Sequence, residues 1–295
     1  MTARPASSRS TLPAVAILVS LLSQNMGAAI AKSLFPLVGI AGMVSLRVGL
    51  SAVLLAAIFR PWRAPPPRAM IPYLAGYGIA LGAMNLLIYK SFARIPLGIA
   101  VAVEVTGPLA IVLIYSRHRR DLIWAAIACV GLALLVPVQA DGATLDLVGL
   151  GLAFGAALCW ALYIVLGKRV SALPGGSPAA WGLIAASVAI VPIGVADAGS
   201  RLATPTALLF GLGVAALSSA IPYSLEIVAL RRLPRSVFGM LVSAAPAVSA
   251  LVGYAALGER LTLLQWTAIL CIIAASLGSA AGARRAGVPE PAPLS

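Results

Sequence analysis

Residues 94–115 read RIPLGIAVAVEVTGPLAIVLIY. Apart from Arg94 at its head and Glu104 near its middle, the stretch is apolar or small, and at 1.5 Å per residue it is long enough to cross a hydrocarbon layer of about 30 Å. Its landmarks recur near the C-terminus. At an offset of 138, Arg94 falls on Arg232, Pro96 on Pro234 and Pro108 on Pro246; beyond a four-residue insertion, Trp124 falls on Trp266 and Cys129 on Cys271. The chain has only five Trp and three Cys, so these paired positions point to an internal duplication rather than chance. Further upstream the match weakens, with Lys32 over Lys168 as the main landmark.

The rest of the chain resembles this stretch in composition. Of its 295 residues 61% are hydrophobic and 10% charged, against roughly a quarter charged in soluble domains, which excludes a water-soluble fold. Apolar runs broken by charges, Pro and Gly predict an all-α membrane protein with ten transmembrane helices, near 12–32, 39–59, 70–91, 97–115, 121–138, 147–168, 179–197, 206–230, 235–257 and 262–282. Alternate gaps hold Arg4 and Arg9; Arg60, Arg63 and Arg68; Arg117, Arg119 and Arg120; Lys168 and Arg169; Arg231, Arg232 and Arg235; and Arg284 and Arg285, which is 15 of the 21 basic residues. The opposite gaps hold Asp141, Asp146, Asp197 and Glu259. The positive-inside rule then places both termini in the cytoplasm. The net charge of +13 is therefore a topology signal and not a nucleic-acid surface; lipids are the surroundings this chain requires. Arg4 and Arg9 followed by an apolar run ending Ala29-Ile30-Ala31 mimic a cleavable signal, but the run is too long for a signal core and the repeat needs it as a member.

Five spans in each copy is an odd number, so the second copy enters the membrane from the opposite side. The expected organisation is two inverted five-helix repeats, 12–138 and 147–282, between cytoplasmic tails 1–11 and 283–295. Inverted repeats can exchange conformations by pseudo-symmetry around a site between them, the logic of alternating-access carriers. Pro108 and Pro246 are expected to kink equivalent helices, because proline removes a backbone hydrogen bond. The Gly78/Gly82, Gly151/Gly155 and Gly278/Gly282 pairs have the spacing that lets helices approach closely.

Charge is costly in hydrocarbon, so Arg47, Glu104 and Glu226 are the most informative residues in the spans. Arg47 and Glu104 are expected at similar depth, as a structural ion pair or as cavity groups that hold the carboxylate and ammonium of a zwitterion, with Glu104 able to exchange a proton. Glu226 reads as a cytoplasmic gate or an interfacial ion pair. Gln24 and Asn25 near the middle of the first span suit a polar solute or helix-to-helix bonding. Tyr89, Trp160 and Tyr163 are candidate cavity walls, or packing. Cys129, Cys159 and Cys271 show no disulfide or CxxC spacing, and the single histidine, His118, sits in a basic loop, so neither a metal nor a cofactor is expected. An intramembrane enzyme fails on inventory: no HExxH, no Asp within a span, and no membrane histidine to activate a serine. A channel fits less well than a carrier, because few charges line the spans. The oligomeric state stays open.

Several stretches are also familiar. Ala31-Lys32-Ser33-Leu34-Phe35-Pro36-Leu37-Val38-Gly39, Pro96-Leu97-Gly98-Ile99-Ala100-Val101-Ala102 with Glu104, Thr106-Gly107-Pro108-Leu109-Ala110, Pro222-Tyr223-Ser224-Leu225-Glu226 and Leu257-Gly258-Glu259 resemble the EamA branch of the drug/metabolite transporter superfamily, in particular its threonine/homoserine exporter group of the bacterial inner membrane. The resemblance covers nearly the whole chain. It implies efflux of threonine, homoserine and related small amino acids, driven by proton antiport, with export of another metabolite or a drug as the runner-up. It brings no binding-residue motif, so the site residues above rest on their physical chemistry.

Overall fold

The structure is a computed structural model that describes residues 11–115, 121–135, 146–222, 225 and 241–285. Among these the regular elements are all helical: α1 (Thr11–Ser33), α2 (Phe35–Phe59), α3 (Ile71–Phe92), α4 (Leu97–Glu104), α5 (Thr106–Tyr115), α6 (Asp121–Leu135), α7 (Leu147–Val170), α8 (Ser177–Ala198), α9 (Pro205–Ala215), α10 (Ala245–Leu257) and α11 (Leu263–Arg285). Short 3₁₀ turns precede α3 and follow α8, and a π-helical turn, Ala216–Ala220, continues α9.

Among the described residues, five runs are long and apolar enough to cross a membrane: Pro13–Ser33, Phe35–Phe59, Arg68–Phe92, Leu147–Val170 and Ser177–Ala203. Five more apolar helices are 10–17 residues long: Leu97–Ile111, Leu122–Leu135, Pro205–Ala220, Ala245–Leu257 and Leu263–Ser279. Large apolar side chains stand exposed in stripes, such as Val15, Leu18, Val19 and Leu22 on α1 and Leu158, Leu162 and Val165 on α7. Exposed to water, such stripes would drive association; in a bilayer they meet lipid. The chain is a multi-pass helical membrane protein.

The second span begins at Phe35 rather than 39. Leu34 alone links α1 to α2, and Pro36 sits in the first turn of α2, where a missing N–H leaves no bond unmade. Gly39, with φ 74° and ψ 171°, then breaks the helix before it resumes toward Arg47. A proline and a glycine beside Lys32 look like a loop, yet here they start and bend a helix.

The halves of the chain interleave. α2 packs on α8 and α9, α3 on α7 and α8, α6 on α11, and α10 on α1 and α4. Gly78 and Gly82 make the α3–α8 contact possible: a Cβ on Gly78 would collide with Ala185, and one on Gly82 would come 2.7 Å from Ile190. Apolar packing drives little association in lipid, so interhelical hydrogen bonds add orientation. Ser45 donates to the Ile190 carbonyl (3.0 Å), Ser51 to Ser219 (2.8 Å), Ser23 to the Leu217 carbonyl (2.8 Å) and Ser91 to the Gly149 carbonyl (2.8 Å).

The fourth span is interrupted at Val105, between α4 and α5. Pro108 has no N–H to give the Glu104 carbonyl four residues back, and the helix breaks there. In the C-terminal half, Ser243 and Ala244 form a turn directly before Ala245 and Pro246 at the head of α10.

Candidate transport site

Two of the expected residues, Arg47 and Tyr89, meet, and a third, Glu104, feels the Arg47 charge without touching it. α2 carries Arg47, α3 carries Tyr89, and α4 ends on Glu104. The Arg47 guanidinium carbon lies 5.0 Å from the centre of the Tyr89 ring, within cation–π range. That ring is 0% exposed and is wedged between Phe35 (6.0 Å) and Phe92 (5.5 Å). Its hydroxyl is buried without a hydrogen-bond partner. Glu104 is 9% exposed.

Arg47 and Glu104 do not form an ion pair. The ion pairs among the described residues are Lys32–Glu259 and Arg94–Asp146. The charge of Arg47 still acts on Glu104 through space. A buried carboxylate and a guanidinium held near each other but unjoined leave both with unspent hydrogen-bonding capacity. Pro108 also denies the Glu104 main-chain carbonyl its usual donor four residues on.

Asn25 on α1 is buried and donates to the Leu21 carbonyl (2.8 Å). Gln24 is exposed although it lies on the buried face of its helix. Ile17 and Ala31, seven residues away on either side, and Ser20, Leu21 and Ala28, three or four away, are all buried.

Trp160 packs half-buried against the main core. Tyr163 stacks on Tyr77 (4.4 Å, 23°) with the two hydroxyls hydrogen-bonded at 2.7 Å. Along α3, Tyr77 is about 18 Å from Tyr89, so Tyr163 belongs to the α3–α7 contact and not to the Arg47 cluster. Glu226 and His118 lie outside the described residues. Asn85, one turn before Tyr89, is a polar residue that the sequence reading passed over. It is buried and donates to the Leu81 carbonyl (2.8 Å), and an amide inside a span was as readable a signal as Gln24 and Asn25.

Above the cluster, a cavity of about 740 Å³ opens among the ends of α1, α2, α3 and α8, lined by Lys32, Phe35, Pro36, Gly39, Ile40, Ala41, Lys90, Ala93, Ile193 and Asp197. Phe35 is shared between this cavity and the Tyr89 ring. At its margin the Lys32 ammonium meets the Glu259 carboxylate at 2.7 Å, and the other oxygen of that carboxylate accepts the Leu97 amide at 2.8 Å.

A helical membrane bundle that keeps a carboxyl group and a guanidinium inside its spans carries the ionisable groups that mark solute or ion pathways. Residues 147–280 match the model of the EamA-like transporter family. The chain is 47% identical over 274 residues, 93% of each protein, to the threonine/homoserine exporter RhtA of Salmonella typhimurium strain LT2. To the threonine/homoserine exporter RhtA of Escherichia coli K12 it is 46% identical over the same share. The chain belongs to the EamA-like transporter family. A solved crystal structure at 20% identity superposes with a TM-score of 0.59 over 95% of this chain and 99% of that one, which shows a shared fold.

Proposed function

We propose that this protein exports threonine, homoserine and related small amino acids across the bacterial inner membrane by alternating access, coupled to proton antiport. The observation that carries the substrate is the 46–47% identity to exporters of that name over 93% of both chains. Two inverted five-helix repeats, 12–138 and 147–282, would rock about the interrupted helices at Pro108 and Pro246, with both termini in the cytoplasm. Arg47 faces the carboxylate of the amino acid, and Glu104 takes either its ammonium or the counter-transported proton. Gln24, Asn25 and Tyr89 complete the polar path. Trp160 and Tyr163 stand further along the α3–α7 contact, and Glu226 would serve as the cytoplasmic gate.

Glu104→Gln separates binding from coupling. The amide keeps the shape and cannot cycle a proton, so export driven by a pH gradient in proteoliposomes should fall to background while threonine–threonine exchange persists. Its thermal stability should be no lower, since the amide takes the place of a buried, unpaired carboxyl without adding a charge. Unaltered gradient-driven export would remove Glu104 from the mechanism. A substrate panel in overproducing cells decides the solute: resistance to threonine and homoserine supports this reading, and resistance to dyes or cationic drugs instead supports a drug exporter. Flux that grows linearly with concentration, without saturation, would indicate a channel.

A further inference from the structure

The contact that joins the two ends of the chain most directly is made by charges, and it lies at the rim of the cavity rather than in the Arg47 cluster. Lys32 closes the last turn of α1, where a cation complements the negative end of the helix. Glu259 follows the left-handed Gly258 (φ 67°), which ends α10 and turns the chain so that the Glu259 amide returns to the Gly253 carbonyl at 3.1 Å. Gly253 is itself shaped for this carboxylate: a Cβ there would collide with Glu259 Oε2. Glu259 then uses both oxygens, one on Lys32 Nζ (2.7 Å) and one on the Leu97 amide at the head of α4 (2.8 Å). Lys32 also reaches toward the Ile95 carbonyl at 3.4 Å. The two side chains are 23% and 12% exposed.

One carboxylate thus fastens α1, α4 and the α10–α11 connection at one end of the bundle. The pair is shielded enough to be worth more than a surface salt bridge, yet open enough to be resolvated without stranding a charge in hydrocarbon. Those are the properties of a contact that must form and break in each cycle. Three further features place it on the path: Lys32 lines the cavity, Gln24 lies two turns below it on α1, and Glu104 lies at the far end of the same α4 whose first amide Glu259 holds.

We propose that Lys32, Glu259 and the Leu97 amide form the latch that closes the outer end of the transport path. It rests on the alternating-access reading and names the gate of that site. Opening the latch releases the head of α4, so that movement at the gate is transmitted to Glu104 at the other end of that helix. The outer side is the one assigned by the sparse cations of its loops.

The test reads gate position rather than transport. In a chain with Cys129, Cys159 and Cys271 replaced by Ala, Gln24→Cys is labelled from outside intact cells with a membrane-impermeant thiol reagent. Lys32→Glu, which sets two carboxylates against each other, should raise the labelling rate about tenfold, and the exchange Lys32→Glu with Glu259→Lys, which pairs the charges again but offers the Leu97 amide no acceptor, should bring the rate only part of the way back. Glu259→Gln keeps an acceptor for the Leu97 amide but loses the charge, so its rate should fall between the starting rate and that of Lys32→Glu, and it serves if Lys32→Glu fails to insert. Rates unchanged by charge reversal and by Glu259→Gln, in proteins present at normal levels, would overturn the latch. A wrong substrate would leave these rates as predicted and fail only the amino-acid panel, so the two readings separate.

Discussion

Asp146 carries three interactions on one carboxylate. As N-cap of α7 it accepts the amides of Val148 (2.8 Å) and Gly149 (3.2 Å), and its second oxygen accepts Arg94 Nη1 at 2.6 Å in a charge-assisted bond. The hydrogen bond from Arg94 foremost, then the two amides and the Arg94 charge, holds the Asp146 carboxyl below its ordinary value of 3.8. A carboxyl depressed in the folded state stabilises above its unfolded value and loses that contribution as pH falls through the depressed one. Asp146→Asn should therefore melt at a lower temperature than the parent at pH 7 in detergent, and the gap should close as the buffer is taken from pH 5 to below 3. A gap that is constant over this range would show that Arg94 and the cap do not act through the charge. Asp146 was readable in the sequence only as an acid in a loop. Arg47 and Glu104 were more readable, because hydrocarbon makes any charge in a span informative. Their separation was not, since whether two side chains meet depends on rotamers and packing that spacing leaves undetermined. Lys32, 227 residues from Glu259, read as the end of the first span and a landmark of the repeat, Glu259 read as a loop charge, and no local signal joins them.

Among the helices, hydropathy marked most elements because each is one apolar run, and it went astray where a run contains its own punctuation. α2 is the case in point. Pro36 and Gly39 look like a loop, but a proline in the first turn starts a helix and a glycine at positive φ bends one without ending it. The bend aims the lower part of α2, with Arg47, at Tyr89, and it leaves Gly39 facing the Asp197 side chain of α8 across the cavity wall. Gly39→Ala should then be costly twice over. A left-handed φ strains an L side chain by about 1–2 kcal/mol per residue, and the added Cβ would stand 2.8 Å from Asp197 Oδ2. The expected result is a melting temperature several degrees lower, together with loss of export in the fraction that remains folded. Gly151→Ala is the matched control: nothing lies within 4 Å of its Cβ position, so a change of Gly to Ala in the middle of α7 should leave stability equal or higher. Equal melting temperatures for both variants would mean that the bend carries no strain.

For the molecule as a whole, the proposed inverted repeat would make a demand that the single proposed latch does not meet. If one end closes through Lys32, Leu97 and Glu259, the opposite end should close through their counterparts when the repeats exchange conformations. Lys32 lies over Lys168, Leu97 over Arg235 at the offset of 138, and Glu259 over Asp121 at the same offset when the four extra residues of the second copy are placed just after it. Lys168 is exposed in the last turns of α7, and Asp121 heads α6. Both fall at the end that the cation-rich loops assign to the cytoplasm. Two latches at opposite ends bias one equilibrium in opposite directions, so breaking either should shift the population away from it by the free energy it contributes. Lys168→Glu should therefore increase labelling of Gln24→Cys from the cytoplasmic face, measured in inverted vesicles, while Lys32→Glu increases it from outside. On this reading the two latches lie at opposite ends of the path, so their effects should add. The double variant Lys32→Glu with Lys168→Glu should return each rate toward its starting value, although neither replaced charge has been restored. Two rates that both rise in the double variant would mean that the charges merely loosen the bundle at either end, and that the symmetry of the sequence has no counterpart in the cycle.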